Sequence, residues 1–214
     1  MSIASALGHQ LKNPSGFAGR LVGPLMRIVN ATPNRLAIDA LNIQPYDHVL
    51  ELGFGPGDAI ALMTKRAPRG VIYGIDQSQV MLKQASTRNR DPIRAGRVAL
   101  YRAAFDRLPF GEASIDKILA VNVIYFWHDF LAVTREIRRV LRPGGRLSIY
   151  ATDADTMRHW AFADHETHRQ FGISDLTGAL QGAGFPAANT RITSVQLPGQ
   201  IKGVIAAVDF YPSP

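Results

Sequence analysis

The stretch Val49-Leu50-Glu51-Leu52-Gly53-Phe54-Gly55-Pro56-Gly57-Asp58 limits what this chain can fold into more than any other part of it. An apolar run of strand character passes into a turn rich in glycine and then into a helical pattern, which reads as a buried strand, a tight loop and a helix. Further short β-rich runs lie at His48–Leu52, Val71–Ile75, Val98–Arg102, Lys117–Val121 and Leu147–Ala151, with helical patterns between them. That alternation predicts an α/β fold, a doubly wound parallel sheet covered on both faces.

Helices are expected after Gly57 and Gln77, and from about Phe130 to Leu141, where Pro143-Gly144-Gly145 stops the last of these. Two helical segments precede the first strand, one around Phe17–Val29 and one starting at Thr32-Pro33, with Thr32 as N-cap and Pro33 as first helical residue. Residues 1–42 are thus expected to form a helical prefix or lid, and residues 43–214 the main domain. Near the end, Ser174–Gly184 reads as a helix. Thr190–Gln196 and Val204–Phe210 read as strands split by Pro198-Gly199-Gln200, a C-terminal antiparallel hairpin that completes a Rossmann-like, mostly parallel sheet of seven strands.

A length of 214 residues fits one α/β domain. With 46% hydrophobic and 19% charged residues, the composition is that of an ordered soluble protein. The absence of cysteine excludes a disulfide framework, a Cys-based zinc site and a thiolate nucleophile. The opening MSIASALGHQLKNPSG has no apolar signal core and no run of 18 uncharged apolar residues occurs, so a cytoplasmic location is expected. The net charge of +7 raises the question of nucleic acid, but the densest basic cluster, Arg135, Arg138, Arg139, Arg142 and Arg146, reads as the solvated face of one helix and its exit. A nucleic-acid partner is not expected.

Glycines at the carboxyl end of a strand let a backbone approach a ligand closely, although such turns also join strands to helices for structural reasons alone. Twenty-three residues beyond Gly53, Asp76 closes the next strand. A carboxylate there can accept both hydroxyls of a ribose, or merely cap the following helix. Glycine loop and aspartate together at one sheet edge point to a nucleoside site. A dinucleotide would use the same parts, but its GxGxxG fingerprint needs a third glycine where Asp58 stands. Asp58 and Glu51 flanking the helix start would repel a pyrophosphate and attract a ligand carrying an ammonium and a sulfonium. The charge pattern favours S-adenosylmethionine (SAM) over NAD, and no Tyr-x-x-x-Lys pair supports an oxidoreductase.

VLELGFGPG (49–57), YGIDQSQVML (73–82), LPFGEASIDKILAVNVIYF (108–126) and EIRRVLRPGGRLSIY (136–150) together resemble the class I SAM-dependent methyltransferases, and within them the subgroup related to the ubiquinone/menaquinone biosynthesis enzymes. The resemblance implies that Gly53, Gly55 and Gly57, with Glu51 and Phe54 in the same segment, surround the methionine part of SAM. It further implies that Asp76 binds the ribose, that Gln77 and Met81 lie near the adenine, and that Asn122 lines the donor pocket near the transfer centre. Many relatives carry an aspartate where this chain has Ala104. The adenine amine is then left to Asp106 or to backbone, and Phe105 to cover the ring.

Methyl transfer from a sulfonium is an in-line displacement whose main demand is placement of the nucleophile about 3 Å from the methyl. For a hydroxyl acceptor a base is useful, and His128 is the candidate by pKa class and position, with Tyr125 beside it as the second candidate catalytic residue. The plain alternative makes His128 a polar residue opening the next helix. Tyr125, Phe126, Trp127 and His128 follow the fourth strand on a loop expected to face the acceptor, and Trp160 and Phe162 are further candidate walls. His159, Asp164, His165, Glu166 and His168 could suggest a metal, but no HExxH pattern occurs and this chemistry needs none. A small-molecule acceptor is expected. The alternatives are a lipid or quinone acceptor and a SAM-binding module without catalysis. Phe17, Leu21, Leu25, Ile28 and Val29, bordered by Arg20 and Arg27, form a stripe that could lie on an anionic membrane or pack over the active site, although Pro24 interrupts it.

Overall fold

The computed structural model describes residues 8, 23–24, 26–163 and 168–211. Strands β1 (His48–Leu52), β2 (Val71–Asp76), β3 (Val98–Arg102), β4 (Ile115–Val121), β5 (Leu141–Thr152), β6 (Thr190–Leu197) and β7 (Ile201–Asp209) form one sheet in the order β3-β2-β1-β4-β5-β7-β6. The first five pair in parallel, while β7 runs antiparallel to both β5 and β6. The helices are α1 (Ala31–Leu41), α2 (Asp58–Arg66), α3 (Gln79–Arg88), α4 (Arg90–Arg94), α5 (Phe130–Val140), α6 (Ala154–Met157) and α7 (Ile173–Gly182). This is a Rossmann-like α/β fold, mostly parallel with a C-terminal antiparallel pair.

Successive strand side chains point to opposite faces, so a strand buried on both sides feeds two cores. Leu50, Leu52, Ile118, Ala120 and Ile149 pack with Val133 and Ile137 of α5 and Leu176 and Leu180 of α7. Val49, Ile72, Leu119, Val121 and Tyr150 pack on the other face with Ala37, Ile38 and Leu41 of α1 and Ile60 and Met63 of α2. In α5 the buried residues Phe130, Val133, Thr134, Ile137 and Val140 fall on one helical stripe, and its N-cap Asp129 accepts from the Ala132 amide at 3.0 Å.

After β1 the chain builds outward through β2 and β3, then returns to place β4 on β1's other side. Loops leaving β1 and β4 diverge there and open a crevice at the carboxyl edge. Both the glycine loop and the residues after β4 sit at that point.

Several details differ from the sequence expectation. Helix α1 begins at Ala31, and its N-cap is Asn30 rather than Thr32, because residues 26–29 are already helical and run through a single turn into α1. Strand β5 begins at Leu141, not Leu147. Residues 142–145 bulge out of the ladder, since Leu141 pairs with Ile115 and Arg146 with Lys117. The basic cluster is largely engaged within the chain rather than solvated: Arg138 donates to the Ala183 carbonyl, and Arg139, Arg142 and Arg146 pair with Glu136, Asp116 and Asp209. No helix among the described residues is long and apolar enough to cross a membrane.

Candidate donor and acceptor sites

Two glycines in the loop after β1 are required by its path. Gly53 has φ +75° and donates to the Ile75 carbonyl at 2.7 Å, and a Cβ there would stand 2.5 Å from Cγ2 of Val123. Gly57, the N-cap of α2 with φ +83°, would bring a Cβ to 2.7 Å from Nδ2 of Asn89 and 2.8 Å from Cβ of Ala85. The loop is thereby pressed against β2 on one side and α3 on the other. Gly53→Ala is expected to cost roughly 2–5 kcal/mol, combining the left-handed backbone of a non-glycine residue with overpacking against Val123. Urea denaturation of the variant measures it.

Asp76 reaches across from β2 to fix the same loop. Its Oδ2 accepts from the Gly55 amide at 2.9 Å and its Oδ1 from the Ser78 amide at 2.8 Å. Burial raises the carboxyl above its ordinary value, opposed by hydrogen bonds from the Ser78, Gly55 and Gln77 amides. Each carboxylate oxygen can accept a second hydrogen bond, so a ribose diol can still be met there.

Glu51 is 3% exposed, and its Oε2 has no hydrogen-bond partner. Burial, then the charges of Asp76 and Asp58, push its carboxyl well above the ordinary range. Asp58 differs, because Arg27 and Arg88 lie 3.2 and 3.1 Å from its Oδ1. Among the described residues no cation pairs with Glu51 or Asp76, and while backbone amides hold both oxygens of Asp76, Oε2 of Glu51 has no partner. An orphan buried carboxylate is costly unless a cation meets it, and an ammonium or sulfonium suits it where a pyrophosphate does not.

Around these groups lies a cleft enclosing about 210 Å³, lined by Glu51, Gly53, Phe54, Gly55, Asp76, Gln77, Met81, Phe105 and Asn122, among others. Nine of the expected site residues thus converge. Gly57 stands behind the loop and Ala104 is exposed outside the lining, where Phe105 takes its place. Asp106 is likewise exposed and outside the cleft. Asn89, which sequence reasoning missed, is 1% exposed and donates through Nδ2 to the carbonyls of Gly57 and Ala85, both at 3.0 Å. Met26, Arg27, Asn30 and Asn34, from the segment before β1, also line the cleft. Their position was hidden because the contacts span long sequence separations.

A second cavity, about 310 Å³, adjoins the first and is walled by Tyr125, Phe126, Met157, Trp160, Phe162 and His168. Met26, Asn30, Asn122 and Phe126 line both. Asn122, with φ +50°, is the hub of this partition. Its Nδ2 donates to Oδ1 of Asn30 at 2.8 Å, while its Oδ1 accepts from the Tyr125 hydroxyl at 2.8 Å and the Thr152 amide at 3.1 Å. The Tyr125 hydroxyl in turn accepts from the Thr152 amide. Burial holds this hydroxyl well above the ordinary phenol range, so Tyr125 stays protonated as a fixed donor in the wall.

His128 is not brought to either cavity. The turn Ile124–Phe126 points Tyr125 and Phe126 inward and packs Trp127 against Phe130, leaving His128 exposed in a separate depression beside Arg169 and Leu131. Its position is that of the polar residue before α5. His159 is exposed and His168 is buried among Tyr125 and Phe126, while Asp164, His165 and Glu166 lie outside the described residues.

Residues 50–149 match the family model of a methyltransferase domain. The uncharacterized methyltransferase YdaC of Bacillus subtilis (strain 168) is 30% identical over 176 residues, which is 82% of this chain and 92% of that protein. The chain belongs to the class I SAM-dependent methyltransferases. Two further curated relatives, from Streptomyces fradiae and Bacillus subtilis, are matched over 34% and 64% of their own length. Among solved structures, the methyltransferase in a complex with the Haloferax volcanii Trm112 methyltransferase activator superposes with a TM-score of 0.76 at 17% identity, covering 92% of this chain and 96% of that one. A SAM-dependent methyltransferase from Aquifex aeolicus gives 0.65 at 17% identity, covering 95% and 98%. Methyltransferases of this family take their methyl group from SAM, and the acid-lined cleft has the charge that such a donor requires.

Proposed function

We propose that this methyltransferase holds SAM in the acidic cleft and transfers its methyl group to a small molecule seated in the aromatic chamber. The observation carrying this reading is the common wall of Met26, Asn30, Asn122 and Phe126, which makes the two cavities neighbours. In this reading Asp76 accepts from the ribose diol and Glu51 meets the ammonium group. Gln77, Met81 and Phe105 bound the adenine, and the loop of Gly53, Phe54 and Gly55 surrounds the methionine chain. Gly57 supports the loop from behind.

Bound there, the donor supplies an electrophilic methyl: an acceptor lone pair forms the new bond while the sulfur–carbon bond breaks and its electron pair stays on sulfur. The chain's own part is orientation and exclusion of water. Asn122, held by Asn30, Tyr125 and Thr152, fixes the boundary across which the groups meet. In this reading residues 1–42 are a prefix to the transferase domain of residues 43–214, a division supported by Met26 and Asn30, from the described part of the prefix, standing in both linings.

A lipid or quinone acceptor, related to those of the ubiquinone/menaquinone enzymes, is the second reading. It is favoured by the exposure of Ile28 at 78% and of Val29, a chamber residue, at 48%. Arg27, however, is engaged by Asp58, and Phe17, Arg20, Leu21 and Leu25 lie outside the described residues. Incubation with methyl-labelled SAM and separated aqueous and lipid extracts, followed by mass spectrometry, tests the proposal. A labelled product without an acyl or polyprenyl chain is expected, in whichever fraction it partitions, unaffected by His128→Ala. A labelled product carrying such a chain would establish the second reading. SAM binding without any labelled product would leave a non-catalytic module.

A further inference from the structure

With the aromatic chamber taken as the acceptor site, the reading proposed for it above, the chemistry of its walls limits which acceptors it can hold. Its described lining contains no Asp, Glu, Lys or Arg, and His168 is its single titratable side chain besides Tyr125. The aromatic groups are arranged as facing and edge surfaces: Trp160 and Phe162 stack at 5.3 Å with planes 24° apart, and Phe126 meets His168 edge-on at 4.9 Å. Ring pairs in such geometries attract beyond simple area burial, and a further planar ring finds both faces and edges to contact. Met157 adds an adaptable thioether wall.

Apart from His168, which packs against Phe126 and Phe162, and the indole of Trp160, the polar side chains of the described lining are gathered in one network. Asn30, Asn122, Tyr125 and Thr152 are bonded to one another at the boundary with the donor cleft. Among the described residues only one hydrogen of Asn122 Nδ2 is engaged, by Asn30, which leaves the second available to an oxygen at the transfer boundary. An ion entering the remaining volume would lose its hydration with no opposite charge on the described walls.

We infer that the chamber selects an uncharged acceptor built on an aromatic or conjugated ring, with a single oxygen-bearing polar end turned toward Asn122. Specificity then lies with Trp160, Phe126 and Phe162 for the ring and with Asn122 for the polar end.

Four probes of matched size test this: 2-naphthol, decahydro-2-naphthol, 2-naphthoate and the ammonium form of 2-naphthylmethylamine. Each is titrated by calorimetry into the full chain, with and without saturating S-adenosylhomocysteine. 2-Naphthol is expected to bind at least about tenfold more tightly than either ion, and about three- to tenfold more tightly than its saturated counterpart. Trp160→Ala should weaken 2-naphthol several-fold while leaving S-adenosylhomocysteine affinity unchanged, and Trp160→Phe should retain most of the preference. Equal or tighter binding of either ion, or a 2-naphthol affinity indifferent to Trp160→Ala in a folded variant, overturns the inference. If S-adenosylhomocysteine itself fails to bind, the donor reading falls, and the titrations without it still decide the chamber's selectivity.

Discussion

Asp76→Ala is expected to weaken SAM and S-adenosylhomocysteine binding about 100-fold or more. Two losses combine. The carboxylate closes β2 and is positioned to accept from a ribose diol, each such charge-assisted hydrogen bond being worth about 1.5–3 kcal/mol. The same oxygens also hold the Gly55 and Ser78 amides at 2.9 and 2.8 Å, so the alanine variant releases the glycine loop that shapes the cleft. At about 1.4 kcal/mol per tenfold in affinity, one lost ribose bond and a loosened loop suffice for two decades. Folding should persist, with a shift of a few degrees in melting temperature, because burial disfavours the ionised carboxylate while its amide partners favour it. Calorimetry on the folded variant is the measurement. An affinity equal to that of the wild type would remove the ribose assignment.

Glu51→Gln should move stability and binding in opposite directions. The folded protein holds this carboxyl above its unfolded value through burial and the neighbouring Asp76 and Asp58. A raised folded pKa means that the folded state binds more protons than the unfolded one across the intervening window. Stability of the unliganded protein therefore falls as pH rises from the ordinary carboxylate range toward the raised folded value, and stays at the lower level above it. Glutamine removes that loss. The variant should melt higher, by about 2–4 °C for each kcal/mol recovered in a chain of this size, with a gap over the wild type that widens with pH and then levels off. Donor affinity should meanwhile drop about tenfold or more, since a neutral amide cannot pair with an ammonium. Melting curves from pH 5 to 8 beside calorimetry test both halves. A variant that is less stable at every pH would mean that Glu51 is compensated in the unliganded protein.

These two carboxylates illustrate how far the sequence reaches. Glu51, Gly53, Gly55 and Asp76 were legible because strand period, glycine spacing and an acid at the next strand's end are local patterns, and a parallel sheet gathers strand ends at one edge. The convergence of Asn30 with Asn122, 92 residues apart, was not. Neither was the pairing of Asp58 with Arg27 and Arg88, which changes its role from repelling an anion to anchoring the prefix and α3. His128 shows the opposite error: following a strand by a few residues does not aim a side chain at the site when a turn at Ile124–Phe126 intervenes.

The order of strands and helices, the two-faced burial of β1 and β4 and the chemical character of the donor loop each follow from periodicity and residue type over roughly ten positions. That a partition of Met26, Asn30, Asn122 and Phe126 separates an acidic cleft from an aromatic chamber came from long-range packing. Cavities are shaped by groups from distant segments, and which face of a loop turns inward depends on the packing of the whole, which no local pattern encodes.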